Sequence, residues 1–189
     1  MTTPDESLLS KVASKLREPP ADAEAGMQGS ILTAAAASYG TRPQDEESTM
    51  PTGFDPLAAA LFEATVECAF LVANADGEFD ETEQRAFKQV VQVACGNKVG
   101  EGQLTALLAD LTDLLEEDGI PKRIRMVART ITRPDHAREV LRIAGLIAHI
   151  SGGVSDVERD VLEKLASEFR VEAGTLDETL GEVARALSE

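Results

Sequence analysis

The chain carries one phrase twice, 75 residues apart and without a gap. Leu71-Val-Ala-Asn-Ala-Asp-Gly-Glu-Phe-Asp-Glu-Thr-Glu83 lines up with Leu146-Ile-Ala-His-Ile-Ser-Gly-Gly-Val-Ser-Asp-Val-Glu158. Gly77 falls on Gly152, Phe79 on Val154, Asp80 on Ser155 and Glu83 on Glu158. The match runs forward through Phe87 with Leu162 and Val90 with Leu165, and back to Cys68 with Ile143. An ungapped repeat of one helix–turn–helix unit restricts the fold to two like halves. Function is best sought where the halves differ.

From Asp55 onward, apolar residues recur at helical spacing, and no segment alternates with period two. The spacing predicts seven helices, over 55–75, 80–95, 101–117, 121–132, 133–150, 155–170 and 176–187. Pro56 and Pro134 suit first helical positions, and Asp118-Gly119 separates the third from the fourth. Aromatics are 4% of the chain and Trp is absent, so Ala, Leu and Val must fill the core. The expected fold is all-α, a single helical bundle spanning residues 55–189.

Residues 1–54 read as a flexible, disordered N-terminal tail, rich in Pro, small and acidic residues that bury too little to offset ordering. Two islands stand out. Residues 7–18 place Leu8, Leu9, Val12 and Leu16 at helical spacing, with Ser7 as candidate cap. Residues 29–39 contain the single Tyr. The islands are either transient helices or docking segments, for a protein partner or for the domain itself.

The formal net charge is −16, which argues against a nucleic-acid partner. No targeting segment is evident at the N-terminus, and no apolar run is expected to span a membrane. The reading is a cytoplasmic protein. Cys68 and Cys95 are expected to be reduced packing residues, because a hairpin turning near residue 77 offsets them by about 12 Å along the helix axes.

In the repeated turn, Gly77 and Gly152 can close a helix in the left-handed conformation. Asp80 with Glu83, and Ser155 with Glu158, have capping-box spacing. This accounts for both copies without a ligand. It does not account for Asp76, whose counterpart is Ser151. Asp76, Glu78, Asp80, Glu81 and Glu83 gather negative charge, which suits a divalent cation or equally a solvated helix N-terminus. Read as an EF-hand, the turn lacks its first ligand, since Val72 stands there.

A helix ending in Ala-Asp-Gly, then an apolar residue, an Asp or Ser cap and a Glu three further on, twice in one helical domain, resembles the TerB-like family. That family includes the tellurite-resistance protein TerB and the N-terminal domain of DjlA-type co-chaperones. The likeness covers roughly residues 56–171. It implies an all-α bundle without catalysis, a link to chemical-stress resistance, and acidic turn residues as metal ligands. Position by position these are Asp76, Asp80 and Glu83 in the first turn and Glu158 alone in the second.

His136 and His149 lack zinc-site spacing, and no nucleophile–base pairing is visible. Lys122, Arg123, Arg125, Arg129 and Arg133 form a basic helix in an acidic chain. It either pairs with neighbouring acidic helices or meets an acidic partner, a second copy in a homodimer among them. The expected function is a non-enzymatic binding or adaptor module in stress response or protein assembly; the alternative is a divalent-metal-binding protein.

Overall fold

The computed structural model describes residues 5–21, 23, 29–42, 54–77 and 79–188. It contains eight helices among these residues: α1 (Glu6–Arg17), α2 (Ile31–Gly40), α3 (Pro56–Ala73), α4 (Glu81–Ala94), α5 (Glu101–Val127), α6 (Pro134–Ala148), α7 (Asp156–Glu168) and α8 (Thr175–Ser188). No strand occurs among them.

The repeat is present in three dimensions. α3 ends at Ala73 and α6 at Ala148; α4 begins at Glu81 and α7 at Asp156, both pairs 75 residues apart. α3 and α6 pack together at the centre. Both start with Pro in the first turn. The halves diverge where a neighbour demands it. Phe70 of α3 corresponds to Gly145 of α6, and a Cβ at Gly145 would lie 2.8 Å from Leu180 Cδ2. The missing side chain leaves room for the end of the Leu180 side chain of α8 against α6.

The expected break at Gly119 is also there. Gly119 has φ 71° and ψ 157°, non-helical values, so α5 consists of two helical arms that meet at a kink there. α3 corrects one expectation. Its 18 residues have a mean hydropathy of 1.6, long and apolar enough to cross a membrane by length and composition. The reason lies in its position: it is the central core helix, with 61% of that stretch buried in the bundle.

The two islands within 1–54 take the docked alternative. Asp5, not Ser7, caps α1, accepting the Ser7 N–H at 3.0 Å. Leu9, Val12, Ala13 and Leu16 of α1 are buried, as are Leu32, Ala35, Ala36 and Tyr39 of α2, in the same core as the rest. Tyr39 stacks on Phe62 with ring centroids 4.7 Å apart. The remainder of that segment, 1–4, 22, 24–28 and 43–53, lies outside the described residues. Cys68 and Cys95 are free and buried. Burial pushes both thiols up, Cys95 to about 12, in keeping with packing roles.

Candidate binding cleft

Each copy of the repeated turn is built by short-range hydrogen bonds. In the first, Asn74 Nδ2 donates back to Phe70 O at 2.9 Å. Gly77 takes φ 81°, a left-handed value that favours Gly. Phe79 then enters the gap between helices, edge-on to Phe70 at 5.7 Å and Phe87 at 5.8 Å. Asp80 Oδ1 accepts from Thr82 N at 2.7 Å and Glu83 N at 2.9 Å. Glu83 Oε2 accepts from Asp80 N at 3.1 Å, completing the box.

The second copy repeats the logic with other side chains. His149 takes the place of Asn74, and its Nδ1–H donates to Gly145 O at 2.7 Å. A carbonyl can only accept, so the ring carries its proton on Nδ1. Ser151, the counterpart of Asp76, donates to Ala148 O at 3.0 Å. Glu158 Oε2 accepts from Ser155 N and Ser155 Oγ, both at 2.8 Å. Both capping boxes read from the sequence are thus formed.

The α3–α6 packing brings the two turns face to face across one cleft of about 510 Å³. Phe79, Phe87, Ile147 and Ile150 give it apolar walls, and Asp80, Glu83 and Glu158 line it with carboxylates. Asp5 and Leu8 of α1 line it too. Sequence reasoning singled out the first three carboxylates but not these two. Nothing local marks a residue near position 5 as a neighbour of residue 158; only the docking of α1 makes it one.

The divalent-cation reading meets a different arrangement. Asp76 is exposed on the turn, whereas Asp80 and Glu83 each give an oxygen to a helix N-terminus. Among the described residues, no three His, Cys, Asp or Glu side chains are grouped to hold a metal ion. The donor set as it stands does not fit a cation. Glu78 lies outside the described residues. Val72, the would-be first EF-hand ligand, is fully buried within α3.

The basic helix divides in two. Lys122 pairs with Asp118 at 2.5 Å, and Arg123 bridges Asp118 at 3.1 Å and Glu67 of α3 at 2.7 Å. These pairs clamp the kink to the core helix. Lys122 and Arg123 bring the Asp118 carboxyl below its ordinary value, while burial raises that of Glu67. Arg125 and Arg129 are exposed, with no ion pair to another described residue.

Comparison with known proteins bears on this arrangement at one point. A family model described as "Tellurite resistance protein TerB" matches residues 62–179. No curated protein and no solved structure matches the chain. The matched region contains both repeated turns and both capping boxes, but neither α1 nor α2.

Proposed function

The chain belongs to the TerB family, and from that premise we propose that it is a non-enzymatic binding module whose cleft holds a segment of a partner protein. The observation that carries this reading is the meeting of the two repeat turns around one cavity. Its size is that of an ordinary ligand site. Its apolar walls are joined by three carboxylates, each engaged in its cap through a single oxygen. A carboxylate has a second oxygen with which to accept. The fitting ligand therefore carries apolar and cationic side chains together, as a basic amphipathic peptide does. Arg125, in the last turn of α5, and Arg129, just beyond its end, offer a second, oppositely charged contact. The setting we propose is cytoplasmic, in chemical-stress response or protein assembly.

The test is calorimetry on chelator-treated protein, using an amphipathic Leu–Lys peptide and, separately, calcium, magnesium, manganese and zinc salts. Saturable peptide binding, unaffected by chelator and weakened by Asp80→Asn and by Glu158→Gln, is expected. Both substitutions remove charge while keeping an acceptor for the cap. No peptide binding at millimolar concentration would discard the reading. Saturable cation heat, lost in Asp76→Asn, would replace it with a divalent-cation site.

A further inference from the structure

One wall of the cleft lies outside the matched region. Leu8 belongs to α1 and Asp5 caps it, and α1 is tied to three other helices by side-chain hydrogen bonds that all end on main-chain carbonyls. Lys11 Nζ donates to Leu187 O of α8 at 2.8 Å. Arg17 Nε donates to Val93 O at 3.1 Å and Ala94 O at 3.2 Å, at the C-terminus of α4. Arg142 of α6 donates to Lys15 O at 3.1 Å and Glu18 O at 2.8 Å, the open carbonyls of α1.

Arg142 also sits 3.6 Å from Glu139, and Glu139 accepts the N–H of Ile31 at the start of α2 at 2.8 Å. A single largely buried ion pair thus meets the C-terminus of one N-terminal helix and the N-terminus of the other. Each charge faces the helix end of opposite sign. At 12 residues α1 is too short to be a stable helix alone. Its position depends on these anchors and on the buried stripe Leu9, Val12, Ala13 and Leu16.

We propose that α1 is part of the binding site: Asp5 and Leu8 contact the ligand, and occupancy of the cleft is coupled to the docking of α1. The proposal rests on the cleft reading above. Docked α1 brings the Asp5 carboxylate to a wall already lined by Asp80, Glu83 and Glu158. Like charges oppose that approach, and a cationic ligand among them removes the opposition. The coupling is reciprocal, so a ligand that favours docked α1 is itself bound more tightly when α1 is docked.

The experiment titrates the full chain with the Leu–Lys peptide, alongside Asp5→Asn, Leu8→Ser and Glu158→Gln, and follows hydrogen exchange of α1 amides with and without peptide. Asp5→Asn keeps the α1 cap, because an amide oxygen also accepts from Ser7 N. It is expected to weaken binding about threefold to fivefold, the scale of an exposed charge pair. Peptide is expected to slow exchange throughout α1. Weakening by Glu158→Gln alone, with unchanged affinity in Asp5→Asn and Leu8→Ser and unchanged α1 exchange, would make α1 a purely structural helix and leave the cleft reading standing. Absence of binding to the unaltered chain would overturn both.

Discussion

Arg123 takes one of the two roles that the sequence alone left open, pairing with acidic residues of its own chain. Its guanidinium lies between Glu67 on the central helix and Asp118 just before the Gly119 kink. Both the Glu67 and Arg123 side chains are about nine-tenths buried. Removing one partner from such a pair leaves the other charge uncompensated. Arg123→Met is expected to cost about 3 kcal/mol of stability at neutral pH by urea unfolding. The pH dependence has a definite sign. Burial holds the Glu67 carboxyl above its ordinary 4.5, with Arg123 opposing. An acid whose folded pKa is raised loses stability as pH rises through its unfolded value. Without Arg123 that loss grows, so the deficit of the variant should be widest near pH 7 and narrow below about pH 4.5. A deficit that stays constant across this range would remove Glu67 from the account. Arg125, two residues on, carries none of this burden and can be reversed in charge to test partner contacts without unfolding the bundle.

Among the elements, two tight approaches use Gly, α2 against the loop after α4 and α6 against α8, and they should respond differently to Ala. At Gly40, the last residue of α2, an added Cβ would lie 1.9 Å from the backbone oxygen of Lys98. Backbone there cannot give way cheaply, so Gly40→Ala should cost at least about 2 kcal/mol. At Gly145 the obstacle is the end of the Leu180 side chain, 2.8 Å away, which can rotate. Ala also recovers about 1 kcal/mol of helix propensity, so Gly145→Ala should be close to neutral. Thermal unfolding of the two variants side by side checks this; equal losses would contradict it. The same contrast explains what the sequence disclosed. The capping boxes at Asp80–Glu83 and Ser155–Glu158, the stop at Gly119 and the register of the repeat depend on neighbours within a few positions, and all were legible. The cleft was not, because it exists only once α3 and α6 pack and bring residue 80 near residue 158. Nor was the docking of α1 decided by its pattern. Leu8, Leu9, Val12 and Leu16 mark an amphipathic helix but do not say what covers it. The basic helix split for a related reason: its charges were plain, but which of them found Asp118 and Glu67 depended on how α5 bends.

At the scale of the whole molecule, the matched region and the folding unit differ in extent. The family match covers 62–179, yet the core is continuous from Leu9 to Val183. α2 lies along α3, with Tyr39 against Phe62, a side chain with no exposure at all. α1 fills the space beside α4 and α6. A fragment of residues 55–189 would uncover the Phe62 face of α3 and the groove under α1. Such contiguous apolar surface favours association or partial unfolding. The expected outcome is strong binding of a hydrophobic dye and concentration-dependent self-association by the fragment, with neither in the full chain. Restoring residues 5–42 as a separate peptide should suppress both, because the anchoring groups Arg142, Glu139 and the carbonyls of Val93 and Leu187 all belong to the fragment. A fragment that stays monomeric, binds no dye and melts at the temperature of the full chain would show that α1 and α2 merely rest on a self-sufficient domain. The coupling between α1 and the cleft would then rest on the ligand's own contacts with Asp5 and Leu8, and not on the anchors that hold α1 to the bundle.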